Sequence, residues 1–232
     1  MEITNTKNID NLFVKILVHG PAGAGKTRLC RTTGGKPLII SVEGGLLSLR
    51  GEDLDVMAVN TMDELSEAYL FLADFKKHKY DWVCLDSVSE IAEVCLSEEK
   101  KNTSDMRKAY GDMHDRMMNL LRKFRDLPMN VYFSAKQQKL QDEITGTIIY
   151  SPAAPGKKVG PAMPYLFDEI FALQTWKDEQ GVLNSALQTS RDEQYEAKDR
   201  SGALAQLEPA DLKHVYDKIM TPTQTTMNLK EK

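Results

Sequence analysis

The sequence predicts an α/β fold: a mostly parallel, twisted sheet with helices on both faces and antiparallel strands at its edge. Three observations carry this. Short apolar runs alternate with helical patterns through the first 135 residues, the signature of a parallel sheet covered on both sides. A glycine-rich octapeptide, Gly20 to Thr27, separates the first apolar run from the first helical one. After Ala135 the texture changes to hairpin-like segments, which suit added antiparallel strands.

The elements follow in order. Leu12 to Val18 is short, apolar and rich in branched residues, and it runs into Gly20: a strand. Lys26 to Thr33 reads as a short helix stopped by Gly34-Gly35. Pro37 to Val42 is a second buried strand, closed by Glu43-Gly44-Gly45, and Asp55 to Val59 a third. Thr61 and Glu64 form a capping box for a helix with Leu65, Tyr69, Leu72 and Phe75 on one face. Trp82 to Leu85 is a strand, and Ser87 with Glu90 repeats the capping pattern at the next helix. Gly111 to Asp126 places Met113, Met117, Leu120, Leu121 and Phe124 at helical spacing, which marks them as core. Asn130 to Ala135 is another strand. Residues 136 to 164 are rich in Gly, Pro, Lys and Gln, with a hairpin near Gly146, and Lys136 to Lys158 within them reads as a long flexible stretch. Glu169 to Thr175 and Ser185 to Thr189 are strands joined through Gly181, and Pro209 to Met220 is a closing helix. One domain over residues 1–220 and a frayed tail over 221–232 are expected.

Composition narrows the classes. With 232 residues, 41% hydrophobic and 28% charged, the chain resembles an ordinary globular protein able to bury a sizeable core. A net charge of -4 excludes a uniformly basic polyanion binder, so any nucleic-acid site must come from local clusters. Cys30, Cys84 and Cys95 have neither disulfide nor metal-ligand spacing. The first residues, MEITNTKNIDN, lack the apolar core of a signal peptide, and no window reaches the roughly 18 apolar residues of a membrane span. A soluble protein of the cytoplasm, without membrane partners, is expected.

The octapeptide is Gly20-Pro21-Ala22-Gly23-Ala24-Gly25-Lys26-Thr27, a complete GxxxxGKT. Its glycines let successive backbone N–H groups turn inward around phosphates, more closely than side chains allow. Lys26 is expected at the outer phosphates, the Thr27 hydroxyl on Mg²⁺, and Arg28 beside the loop. A buried strand before the motif and a helix after it complete the P-loop context for ATP. A second carboxylate for the magnesium shell is Asp86, which ends the apolar run of Asp81-Trp82-Val83-Cys84-Leu85-Asp86-Ser87. Glu43, at the C-terminal end of the second strand, is the candidate to orient or deprotonate an attacking water.

The order of these stretches, GPAGAGKT, IISVEGG, DWVCLDS and NVYFSAKQQK, resembles the RecA-like ATPases. More narrowly it resembles the compact recombination ATPases of bacteriophages, the RecA-core group linked to single-strand annealing. Arg122 to Val131, Met163 to Phe167 and Tyr195 to Gly202 add to the likeness, which spans roughly residues 13 to 220. The resemblance implies a RecA-type core, ATP hydrolysis with Mg²⁺, single-stranded DNA as partner, a homo-oligomeric ring or filament, and a single-strand-binding protein as a further partner. It implies the bacterial host cytoplasm as the location if the gene is a phage's. It makes Glu43 the catalytic glutamate and sets Ala135-Lys136-Gln137 where the family senses the γ-phosphate. The family's glutamine is replaced there, leaving Lys136 as the candidate. It sets Lys198 and Arg200 where such proteins reach the neighbouring subunit's ATP; exposed turn charges are the plainer alternative.

Two regions are candidates for DNA. Residues 100 to 125 hold eight Lys/Arg, among them Arg107, Lys108 and Arg116, with Tyr110 as a stacking ring. The second is the stretch with Lys136, Lys139, Lys157 and Lys158. The resemblance places both at the family's DNA-binding loops; a solvated helix face and a mobile insertion are the alternative. The competing classes are a small-molecule kinase, an AAA-type loader or remodeller acting without DNA, and a nucleotide-gated scaffold.

Overall fold

The computed structural model describes residues 13–141 and 146–221. The predicted N-terminal polar segment and residues 222–232 of the predicted tail lie outside the described residues, as does Leu12 of the first predicted strand. Ten strands form one sheet among the described residues. They are β1 (Lys15–Gly20), β2 (Pro37–Ser41), β3 (Asp55–Ala58), β4 (Trp82–Asp86), β5 (Asn130–Gln141), β6 (Ile148–Pro152), β7 (Glu169–Lys177), β8 (Leu183–Gln188), β9 (Lys198–Asp199) and β10 (Leu207–Pro209). The helices are α1 (Lys26–Leu29), α2 (Met62–Ala73), α3 (Val88–Asn102), α4 (Met106–Arg125), α5 (Val159–Ala162) and α6 (Leu212–Met220).

The strand order is β10-β8-β7-β1-β5-β4-β2-β3, with β6 on β5 and β9 on β7. The six strands β3, β2, β4, β5, β1 and β7 run parallel; β8, β10, β6 and β9 are antiparallel additions. This is the α/β, RecA-like P-loop arrangement that the sequence predicts; β8, β9 and β10 gather at the β7 edge, whereas β6 pairs with the outer part of central β5.

Each central strand divides its side chains between two cores because successive Cβ atoms point to opposite faces. Leu17, Val83, Leu85, Val131 and Phe133 pack under α2, α3 and α4. Ile16, Val18, Trp82, Cys84 and Tyr132 pack on the other face against Leu29, Leu212 and Val215. Met113 and Met117 are core, as their spacing indicates, and the three cysteines are buried and free. No helix among the described residues is long and apolar enough to cross a membrane.

Several boundaries differ from the sequence reading, each for a local reason. α4 begins at Met106, because Asp105 accepts from the Arg107 and Lys108 amides at 2.8 and 3.4 Å. Gly111 therefore lies inside a helix and does not start one. The closing helix starts at Leu212, where Asp211 accepts from the His214 amide at 2.9 Å; Leu207–Pro209 before it is strand. α1 holds four residues, and Cys30–Thr32 continues as a 3₁₀ turn. Phe75 falls beyond α2 and is exposed. The stretch from Lys136 onward is no flexible loop in its described part: β5 runs on to Gln141 and folds back as β6.

One buried acid marks the junction of β7 and β9. Glu169 is 1% exposed and lies opposite Asp199 in the strand register. Its Oε1 accepts from the Ser201 amide at 3.2 Å, and Oε2 has no partner among the described residues. Burial first, and the nearby Asp199 and Asp168 charges after it, push its pKa up from 4.5 to about 8. The folded state therefore keeps a proton that the unfolded chain releases above about pH 4.5. This contribution is fully present below pH 4.5 and is lost as pH rises toward 8. We expect the native protein to lose stability relative to Glu169→Gln by about 1.4 kcal/mol per pH unit across that window, measured by urea unfolding. A constant difference between the two from pH 5 to pH 8 would contradict this.

Candidate nucleotide site

Parallel register brings the chemistry to one edge. Gly20 lies beside Lys136, and Ser41 beside Asp86, so the C-terminal ends of β1, β4 and β2 open on the same side of the sheet, where β5 runs on past them to Gln141. The octapeptide leaves β1 there. Gly25 takes φ +102, a conformation that disfavours side chains, and a Cβ on Gly20 would come within 3.1 Å of the Leu173 carbonyl. Gly25 is favoured by its backbone conformation, and Gly20 has little room for a side chain against Leu173. From the sheet beneath, the Tyr132 hydroxyl donates to the Lys26 carbonyl at 2.7 Å and anchors the start of α1.

The functional side chains converge over this loop. Lys26 Nζ donates to the Gly20 and Pro21 carbonyls at 2.8 and 2.9 Å, curling back across the loop. Burial lowers its pKa, and the Glu43 and Asp86 charges oppose that shift. Thr27 Oγ1 donates to Asp86 Oδ2 at 2.6 Å, while Ser134 holds the other Asp86 oxygen. Ser87 donates to Glu43 Oε1. The Lys136 ammonium pairs with Glu90, and this hydrogen bond raises the Lys136 pKa. A cleft of about 520 Å³ results, lined by Gly20, Pro21, Ala22, Gly23, Gly25, Lys26, Thr27, Arg28, Glu43, Gly45, Ser48, Asp86, Lys136 and Gln137.

Nearly every nucleotide-site residue predicted from sequence therefore lines one cleft. Ala24 is the exception; it faces a smaller cavity on the other flank of α1. A hydroxyl and a carboxylate 2.6 Å apart, both oxygen donors, fit a hard cation such as Mg²⁺ held by Thr27 and Asp86. Bound there, the ion would neutralise phosphate charge. Glu43 lies across the cleft, oriented by Ser87, where a carboxylate can take a proton from water.

Lys198 and Arg200 do not reach this cleft in their own chain. Lys198 Nζ donates to the Pro164 and Phe167 carbonyls, and Arg200 pairs with Asp168 at 2.6 Å. Of the candidate DNA residues, Arg107, Tyr110, Lys157 and Lys158 line a separate groove of about 380 Å³ with His114. Arg116 is held elsewhere, by Glu98 and Glu99 at 2.8 and 2.9 Å. Lys108 and Lys139 line neither space.

Sequence reasoning missed several positioning groups. Ser87 carried a cap signal, and it does accept from the Glu90 amide at 3.4 Å, but its grip on Glu43 had none. Ser134 looked like one more strand residue. His19 is fully buried, and its Nε2–H donates to the Glu196 carbonyl at 2.7 Å, tying the end of β1 to the segment that carries Lys198. Burial lowers its pKa to about 4, so the ring stays neutral.

The fold and this cleft define a P-loop ATPase, a nucleotide-binding protein. Residues 12–201 match the family model described as "AAA domain" (AAA_24), and the chain belongs to that family. Among curated proteins, none matches the chain.

The geometry separates binding from turnover. Lys26→Ala is expected to weaken MgATP binding by 100-fold or more in isothermal titration. Glu43→Gln should keep the affinity within about threefold and lower kcat by on the order of 100-fold, read by phosphate release. Unchanged turnover in Glu43→Gln would remove Glu43 from the chemistry.

Proposed function

We propose that this P-loop ATPase hydrolyses ATP and uses the nucleotide cycle to control its hold on single-stranded DNA, in recombination or strand annealing, as a homo-oligomer. The observation that carries the reading is the second groove. Arg107, Tyr110 and His114 on α4 meet Lys157 and Lys158, which lie far away in sequence. Cations around an aromatic ring suit a phosphodiester backbone with unstacked bases. Gly156 supports the ring: a Cβ there would come within 3.0 Å of Tyr110.

A short chain of hydrogen bonds links the groove to the cleft. Ser89 on α3 accepts from the Lys136 amide at 2.8 Å and donates to the Ala153 carbonyl at 2.6 Å. Ala153 in turn donates its amide to the Lys136 carbonyl at 2.8 Å. Two residues on, the chain enters the groove at Pro155. Glu43 is held by Ser87, in the same first turn of α3. A shift of Glu43 or Lys136 with nucleotide state would therefore be felt at Lys157 and Lys158. In an oligomer, Lys198 and Arg200 would act on the neighbouring copy's ATP. A protein remodeller of the AAA type is the rival class, and the basic, ring-centred groove favours nucleic acid over a protein client.

The test is ATP turnover and oligonucleotide binding. Single-stranded DNA should raise kcat severalfold, and its affinity should fall steeply between 50 and 200 mM salt. Tyr110→Ala combined with Lys157→Ala should weaken DNA binding by about 10-fold or more and leave DNA-free turnover unchanged. Absence of DNA binding at low salt, with intact ATPase activity, would refute the DNA role and favour the remodeller.

A further inference from the structure

The nucleotide cleft opens at the C-terminal ends of the strands, and the basic groove begins on the first turns of α4. From there α4 runs for 20 residues, about 30 Å, to the opposite end of the sheet. β5 starts there at Asn130, beside Trp82, the first residue of β4. The turn that leads into β4 reads Phe75-Lys76-Lys77-His78-Lys79-Tyr80, three lysines interleaved with three rings.

This turn is held by its own side chains. Asp74 accepts from the Lys76 amide at 3.3 Å, and its carbonyl from the Lys77 ammonium-bearing residue's amide at 2.9 Å. His78 Nε2–H donates to the Leu72 carbonyl at 3.0 Å while Nδ1 accepts from the Tyr80 amide at 3.2 Å, which fixes the ring in one tautomer. The imidazole stacks on Tyr80 with centroids 5.6 Å apart and lies against Phe71 and Phe75. A segment ordered before binding loses little entropy when a ligand arrives.

The charges of the surface are unequally engaged. Lys77 pairs with Asp74 at 3.2 Å. Lys36, whose Nζ lies 5.4 Å from the Tyr80 ring centroid, pairs with Asp55 at 3.8 Å, and Asp81 accepts from the Lys36 amide. Lys76 and Lys79 are exposed and have no ion pair among the described residues, and Phe75 is 43% exposed. Lysines complement a helix C-terminus in their own right, but that effect fades beyond the last turn. Lys79 lies well past Ala73, where α2 ends.

We propose that this turn is a second contact for single-stranded nucleic acid, with Lys76 and Lys79 on phosphates and Phe75 stacking a base. Cations beside an open ring suit a phosphodiester chain with unstacked bases, whereas an acidic peptide would use the cations alone. The proposal rests on the DNA reading above and extends it: one protomer holds two stretches of strand, one at each end of the sheet.

The experiment uses a fluorescent single strand of about six nucleotides, with polyglutamate as the protein-like probe, read by anisotropy at about 50 mM salt. Four proteins are compared: native, the groove variant Tyr110→Ala/Lys157→Ala, the turn variant Phe75→Ser/Lys76→Gln/Lys79→Gln, and their combination. The groove variant should keep residual binding, and the turn substitutions should lower that residue of affinity by about tenfold or more. Lys76→Gln/Lys79→Gln with the ring intact, made in the groove variant, should flatten the log–log salt slope by about 1.4, the share of two phosphates on a single strand. DNA-free ATP turnover should match native throughout. A groove variant with no residual binding, or with residual binding that survives the turn substitutions, would overturn the proposal and leave the groove standing. Polyglutamate binding lost in the turn variant, with oligonucleotide binding unchanged, would overturn it in favour of an acidic protein. A native protein that binds no oligonucleotide would refute the DNA reading and this proposal together.

Discussion

The contact between Thr27 and Asp86 is the constraint on which the site depends. Thr27 belongs to the loop-helix segment leaving β1, whereas Asp86 ends β4, and β5 lies between the two strands. The two oxygens meet only because β1, β5 and β4 are parallel and in a register that brings the C-terminal ends of β1 and β4 to the same side of the sheet. A one-residue slip of β4 would turn Asp86 to the opposite face of the sheet and leave Trp82 and Cys84 in the wrong core. Hydrophobic alternation therefore fixes the position of a polar pair. The same register carries Ser134 to the other Asp86 oxygen, so a carboxylate that is 2% exposed is held on both sides.

The first turn of α3 extends that order outward. Ser87 and Ser89 are two residues apart and serve different partners: Glu43 after β2, and the pair Lys136 and Ala153 around β5 and β6. A helix start has amides to satisfy, and hydroxyls are favoured there. Ser87 performs the capping role while also orienting an acid. Ser89 is buried, and its hydroxyl serves two backbone groups that the departing hairpin would otherwise leave unpaired. Local backbone requirements and the geometry of the cleft are met by the same atoms.

This division explains what could be read from the chain alone. The octapeptide, the alternating strands and Asp86 were legible because they rest on local patterns: glycine positions, period-2 burial, an acid at a strand end. The beginnings of α4 and α6 were misplaced because Asp105 and Asp211 act as single-residue caps with no glutamate three positions on to complete the box. The extension of β5 past Ala135 has no local strand signal because its outer residues are polar and largely exposed, and pairing with β6 orders them. His19, Ser134 and Ser89 were invisible for a different reason. Their partners lie 48 residues away or more, or 47 in the case of Ser89 and Lys136, and nothing local announces a tertiary hydrogen bond.

Charge shows the same limit most clearly. Eight basic residues between positions 100 and 125 look equivalent in the sequence, yet the fold assigns them separate surroundings. Arg116 is taken up by Glu98 and Glu99, Arg125 pairs with Asp126, and Lys123 lies over the Tyr69 ring. Lys100 lies over Tyr110 at 5.8 Å, which adds a cation to the ring that lines the groove. Arg107 faces the same groove, joined there by Lys157 and Lys158 from another part of the chain. A protein of net charge -4 can thus present a local basic surface, because its charges are unevenly distributed and screening confines each field to about 8–10 Å. What matters to a polyanion is which cations remain without a carboxylate at the surface where it would lie, and that is decided by helix faces and strand ends, not by composition.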